Sequence, residues 1–166
     1  MIGLLSRLFA RGEPSLSEAT SRDAARIAAL HAASFARGWS EQEVEGLLTD
    51  RHVFAHRAMT ESKMTGSSMA GFIMSRLVED EAEILSVAVA GARRGRGLAR
   101  NMLNLHLRRL AALGAHAVFL EVDEHNGPAI RLYDRAGFRE ISRRPNYYPG
   151  VGGKPVAALV LRRDLV

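Results

Sequence analysis

Residues 84–99 read ILSVAVAGARRGRGLA, a short apolar strand that runs straight into a turn of Arg and Gly and then into a helix. A turn of this composition leaves several backbone N–H groups without partners at the helix N-terminus, where the helix dipole favours negative charge. Gly95 and Gly97 let the backbone press close to a ligand, and Arg93, Arg94, Arg96 and Arg100 add permanent positive charge. The stretch is therefore predicted to cradle a diphosphate. The chain has no G-x-G-x-x-G and no G-x-x-x-x-G-K-[ST], so neither the Rossmann nor the P-loop arrangement accounts for it.

Upstream, apolar runs near 53–59, 69–78 and 82–90 are separated by the polar 60–68 and the acidic 79–81, a spacing that predicts an antiparallel meander. Before them, 15–19 reads as a short strand, and a helix from about 22 to 35 presents Ile27, Leu30 and Phe35 on one apolar face. Ser40 and Glu43 form a capping box for a second helix, with Trp39 and Val44 placed as a hydrophobic staple. Downstream, the helix after the Arg-rich turn carries Ala99, Leu103, Leu107 and Leu110 on one face, keeps Arg108 and Arg109 outside, and stops at Gly114. Residues 115–123, AHAVFLEVD, alternate as a strand, with Val118, Leu120 and Val122 to one side and Phe119, Glu121 and Asp123 to the other. A carboxylate sharing a face with Phe119 is costly to bury alone, so under a covered face Glu121 has a partner or a task. Asn126 is placed to cap a short helix with Pro128 in its first turn and Gly137 at its end.

At 166 residues and 47% hydrophobic, the chain is predicted to be one domain over 15–166. It is preceded by an extension, 1–14, in which Arg7 and Arg11 interrupt Leu4, Leu5, Leu8 and Phe9. That segment lacks the long apolar centre and cleavage site of a signal peptide and reads as an amphipathic helix. Its absence of a signal makes cytoplasmic residence the expectation. The net charge of +5 rests on 21 Arg against 2 Lys, a ratio that fits a GC-rich coding bias as well as nucleic-acid binding, so no nucleic-acid partner is expected. With Cys at 0 there is no disulfide, thiolate metal site or Cys nucleophile, and the 6 His show no metal-ligand spacing. No apolar run approaches the roughly 18 residues of a membrane span, so neither a metal nor a membrane is expected.

Arg94-x-x-Gly97-x-Ala99 resembles the R/Q-x-x-G-x-G/A pyrophosphate loop of the GNAT superfamily of N-acetyltransferases. NGPAIRLYDRAGF, at 126–138, resembles the N-x-x-A-x-x-L-Y-x-x-x-G-F segment of the same enzymes. The resemblance implies a GNAT fold, an α/β (α+β) architecture with a mixed, mostly antiparallel central sheet flanked by helices, and acetyl-CoA as co-substrate. It implies cofactor contacts from Val87, Ala88 and Val89 at the strand end, from Arg94, Gly95, Arg96, Gly97, Leu98, Ala99 and Arg100 in the loop, and from Asn126. Tyr133 would lie near the thioester sulfur.

Leu120-Glu121-Val122, Asn146-Tyr147-Tyr148-Pro149 and Gly38-Trp39-Ser40-Glu41 are similar to the bacterial ribosomal-protein alanine N-acetyltransferases, the RimI type. That resemblance implies an acceptor that is a protein N-terminus, the α-amino group of an alanine on a small-subunit ribosomal protein. Glu121 would be the base, Tyr133 the acid, and Trp39, Tyr147 and Tyr148 the border of the acceptor groove. Two features depart from the pattern: Pro145 stiffens the R-x-N-Y-Y run, and Lys154-Pro155 stands where relatives often carry an acidic pair.

An α-amino group, with a pKa of about 7.7 to 8.0, is about one-tenth neutral at pH 7, whereas a lysine amine near 10.4 is neutral about once in 2,500. A mild carboxylate base at Glu121, acting directly or through one water, suffices for the first. Backbone N–H groups along 86–89 are candidate donors to the oxyanion if the strand is bulged there. Tyr133, with a reference pKa near 10 against about 8.5 for a thiol, is uphill as donor by about 2 kcal/mol unless the positive charge of the nearby arginines lowers its pKa. Two other readings stay open. One is an acetyltransferase for lysine or a small amine, which the Tyr147-Tyr148 pair disfavours; the other is a non-catalytic acyl-CoA-binding regulator, which the presence of both Glu121 and Tyr133 disfavours.

Overall fold

The computed structural model describes residues 12–166, the side chain of Val151 apart. The amphipathic segment expected at 1–14 lies outside the described residues except for 12–14. The elements run β1 (Ser15–Glu18), α1 (Ala24–Ser34), α2 (Glu41–Thr49), β2 (Val53–Ser62), β3 (Gly66–Val78) and β4 (Glu81–Val89). They continue with α3 (Leu98–Ala112), β5 (Ala117–Asp123), α4 (Gly127–Arg135), β6 (Arg139–Tyr148) and β7 (Val156–Asp164). The strands form one 7-stranded sheet ordered β1-β2-β3-β4-β5-β7-β6, in which the β4–β5 pair is parallel and the rest are antiparallel.

Two apolar layers cover the sheet. On one face, Leu98, Met102, Leu103, Leu107 and Leu110 of α3 pack with Ile73, Val118, Leu120 and Leu161, and Tyr133 and Phe138 join them from the α4 side. On the other, Ile27 and Ala28 of α1 and Val44 of α2 pack on Ala55, Phe72, Met74 and Ala88. The alternation expected of β5 is present: Val118, Leu120 and Val122 are buried in the first layer, and Phe119, Glu121 and Asp123 point the other way at intermediate exposure. The Ser40–Glu43 capping box also forms, with Glu43 N–H donating to Ser40 Oγ at 3.1 Å and Ser40 N–H to Glu43 Oε2 at 2.7 Å.

Three sequence expectations are corrected. Phe35 lies beyond the end of α1 and is 41% exposed, because the buried stripe of that helix is Ala24, Ile27, Ala28 and His31. Ala99 is only half-buried; Leu98 and Met102 take the core positions on α3, and His106 shares them at 0% exposure. The β2–β3 hairpin extends well past the apolar runs, to Ser62 and Gly66, through the polar Thr60–Ser68 and Glu61–Ser67 pairs and Ser62–Gly66 at the turn end of the ladder. Strand β6 had no apolar alternation to announce it, since nearly all of it is exposed on the sheet edge.

The feature that places the site is a fork. β4 and β5 are in register only through Glu81↔Ala117, Ala82↔Val118 and Glu83↔Phe119. Beyond that point β5 stays paired with β7 as far as Asp123↔Ala158, while β4 stays with β3 as far as Gly71↔Val89, so the two strands part. At the parting, the β3–β4 register slips by one residue, Met74↔Ser86 being followed by Ser75↔Ile84. Leu85 is the extra residue, a bulge one position ahead of the 86–89 stretch. It switches the alternation of β4. Ala82 and Ile84 pack in the α3 layer before it, and Val87 and Val89 after it.

Candidate active site

The fork opens into a cleft of about 920 Å³. One wall is the end of β4, Val87, Ala88 and Val89, and the loop that follows it, Arg94, Gly95, Arg96 and Gly97. Leu98, Ala99 and Arg100 at the start of α3 continue that wall. The opposite wall is α4, with Asn126 at its cap and Tyr133 on its inner side. Every residue expected to touch the cofactor is thus brought to one cavity.

The loop earns this position through its backbone. Gly95 and Gly97 have φ of +74° and +80°, values at which a side chain is strained, and an added Cβ would meet no protein atom within 4 Å at either. Glycine is required there for its conformation, and both glycines line the cleft. Gly97 is the N-cap of α3, and the first bond of that helix is Asn101 N–H to the Gly97 carbonyl at 3.0 Å. Among the described residues, no backbone N–H from Gly95 to Arg100 donates to a protein acceptor. Such a run of donors at a helix N-terminus suits a diphosphate. Arg94 braces the loop, its Nε donating to the Val89 carbonyl at 3.1 Å.

On the far wall Asn126 caps α4, its Oδ1 accepting from Ala129 N–H at 3.3 Å, and Pro128 occupies the first turn as expected. Tyr133 is 8% exposed and meets Phe138 edge-to-face at 5.6 Å. Its hydroxyl makes no hydrogen bond to the protein among the described residues, and the side chain lines the cleft. Burial pushes this phenol up to about 12. The loop arginines across the cleft do not lower it; loss of hydration is the cause of the shift.

Glu121 is not in the cleft wall. It lies on the other face of β5, where its carboxylate Oε1 sits 3.0 Å from Nη1 of Arg144 on β6. Tyr148 is half-buried beside it, and burial first, then Glu121, Tyr147 and Asp123, push the Tyr148 hydroxyl above the usual phenol range. Tyr147 meets Tyr148 edge-to-face at 5.0 Å. Trp39 lies apart from that cluster, in the α1–α2 layer: it stacks on His31 at 4.0 Å and donates its backbone N–H to His31 Nδ1 at 3.1 Å.

Sequence reasoning did not single out several lining residues. Ser34 and Phe35 close the cleft from the end of α1, and Arg131 and Arg135 face it from α4. The i, i+4 spacing of those arginines on either side of Tyr133 was the available signal. Neither they nor Arg93, Arg94, Arg96 and Arg100 form an ion pair among the described residues, so the cleft is strongly positive. Among the same residues no group of three or more His, Cys, Asp or Glu is arranged to hold a metal ion, and no helix is long and apolar enough to cross a membrane.

A sequence profile of the acetyltransferase (GNAT) family matches residues 24–138. The chain is 33% identical over 123 residues to the ribosomal protein bS18-alanine N-acetyltransferase of Salmonella typhimurium, covering 74% of this chain and 78% of that one. The crystal structure of the ribosomal-protein-S18-alanine N-acetyltransferase from Escherichia coli is similar with a TM-score of 0.82 and 26% identity, covering 92% of this chain and 94% of that one. Arabidopsis thaliana NAA60 in complex with acetyl-CoA has a TM-score of 0.82 over 92% of this chain and 98% of that one, and at 21% identity this likeness concerns the fold.

Proposed function

The chain belongs to the GNAT family of acetyltransferases, and from that premise we propose that it acetylates the α-amino group of an N-terminal alanine on the small-subunit ribosomal protein bS18, with acetyl-CoA as the acetyl donor. Cytoplasmic residence follows from that acceptor. The observation that carries the reading is the fork, which lets a thioester held from the α3–α4 side meet an amine arriving from the Glu121 side. The relative of Salmonella typhimurium, matched over most of both chains, supplies the acceptor.

The donor diphosphate binds the free amides of 95–100, with the cleft arginines balancing its charge. Beyond Glu83, half of the peptide groups of β4 point into the fork instead of to a neighbouring strand, and the N–H groups within 86–89 serve the oxyanion. The acceptor runs between Trp39 at the α1–α2 turn and the Tyr147-Tyr148 pair. Glu121 takes the proton of the attacking amine, and the nitrogen forms its bond to the acetyl carbon as the carbon–sulfur bond breaks. Tyr133 donates a hydrogen bond to the departing sulfur, which takes its proton from water.

The test is thiol release from acetyl-CoA with peptides that differ only at residue one, beside the same peptides N-terminally blocked and carrying a lysine. Free N-terminal alanine is expected to react fastest. Blocked peptides acetylated as fast as free ones would replace the α-amine by a lysine acceptor.

A further inference from the structure

Glu121 does not stand free at the fork. The Arg144 guanidinium that lies 3.0 Å from its carboxylate also lies over the Tyr147 ring, 5.7 Å from the centroid. The two side chains differ in exposure, 58% for Arg144 and 21% for Glu121, so the carboxylate is mostly enclosed and the guanidinium sits on its solvent side. The backbone builds this arrangement. β6 and β7 are in register at Arg144↔Ala158 and again at Tyr148↔Val156, so residues 145–147 stand opposite Ala157 alone. Pro145 has no N–H to give to a ladder, and Asn146 adopts φ +58°; the irregular turn of chain sets Tyr147 beside Arg144 and Tyr148 beside Glu121. The Pro145 that departs from the expected run therefore sits where the ladder is already interrupted.

A carboxylate that is to receive a proton from an amine is thus held by a cation in the free protein. The incoming N-terminus is itself a cation with N–H donors. We infer that Arg144 is a positioning residue of the acceptor site, which holds the Glu121 carboxylate in the free enzyme and yields it to the acceptor's α-ammonium, its own guanidinium staying on the face of Tyr147. The exchange replaces one positive charge by another, so the enclosed carboxylate is never left without a counter-charge. An ion pair with so exposed a cation is weak enough to exchange, and its competition raises the apparent dissociation constant of the acceptor by about two- to sixfold. The inference rests on Glu121 being the base of the proposed reaction.

The experiment is a double-mutant cycle on the full chain. Arg144→Gln should lower KM for an N-terminal alanine peptide about two- to sixfold with kcat unchanged, and Arg144→Lys should restore the original KM. Peptide affinity is measured by calorimetry in the complex with CoA, where no turnover occurs, for wild type, Arg144→Gln, Glu121→Gln and the double variant. The gain from Arg144→Gln should vanish when Glu121 is Gln. An unchanged or raised KM in Arg144→Gln, a lowered kcat, or an equal gain in the Glu121→Gln background would overturn the exchange and leave the base assignment standing. Full turnover by Glu121→Gln would instead remove the base assignment, and the exchange with it.

Discussion

Replacing Tyr133 by Phe removes one hydroxyl and leaves the ring against Phe138, so the fold and the cofactor cleft should survive. What the hydroxyl does follows from its burial. With the phenol pushed up to about 12 and a thiol near 8.5, complete proton transfer to the departing sulfur is uphill by about 5 kcal/mol. A hydrogen bond to the developing thiolate has no such cost and is worth about 1.5–3 kcal/mol. The expected loss in Tyr133→Phe is therefore about 10- to 150-fold in kcat, with KM for acetyl-CoA little changed. Because the phenol stays protonated through pH 9, the ratio of wild-type to variant kcat should be constant from pH 6.5 to 9. Steady-state thiol release at saturating peptide across that range measures both. A variant with undiminished kcat would return Tyr133 to a packing role, and an alkaline limb below pH 9 in wild type that the variant lacks would show a phenol titrating in this range and sink the argument from burial.

Arg94→Glu and Gly97→Asp should each weaken acetyl-CoA binding by several-fold to about a hundredfold, because each puts a carboxylate beside the free amides of the loop; Gly97→Ala, which adds only strain at φ +80°, should lose less than Gly97→Asp, and unchanged affinity by calorimetry in both charged variants would remove the cradle. A second effect concerns stability in acid. His56 Nδ1 and His106 Nδ1 share one hydrogen bond at 2.7 Å, His106 Nε2 meets Ser75 Oγ at 2.7 Å, and burial first, with His56, pushes His106 down to about 3. The unfolded chain binds that proton near pH 6.5 and the folded one only near 3, so the contribution is complete above about 6.5 and is lost as pH falls through that window. His106 alone should remove about 2 kcal/mol between pH 7.5 and 5.0, and His56, also lowered by burial, acts in the same direction. Urea unfolding at the two pH values tests it; equal stabilities would mean that the folded protein protonates His106 without penalty.

Local chemistry made much of this molecule legible from its residues. Gly95 and Gly97 among arginines at the head of an apolar-striped helix specify a loop of free amides suited to a diphosphate, because positive φ and orphan amides are properties of a few consecutive residues. The Ser40–Glu43 box, the Asn126 cap and the alternation of Val118 to Asp123 are likewise settled within one turn or one pleat. What could not be read is what depends on a neighbour far along the chain. His106 is a polar residue on α3 that is wholly buried, its two ring nitrogens met by His56 and Ser75 from β2 and β3. Phe35 looked like core and lines the cleft because α1 ends before it.

The sequence by itself determined the glycines and arginines of the loop and the capped helices, each a matter of residue type at short spacing, while the roles proposed for Glu121 and Tyr133 came from the resemblance to the family. Only the tertiary structure decided that β4 parts from β5 after Glu83, that Tyr133 is buried deeply enough to keep its proton, and that Arg144 closes on Glu121. Each of these is a sum over groups that the chain brings together from separate strands. The free energy of a buried hydroxyl or an enclosed carboxylate is set by the hydration it loses and by the charge that replaces that water, and neither exists until the sheet has formed.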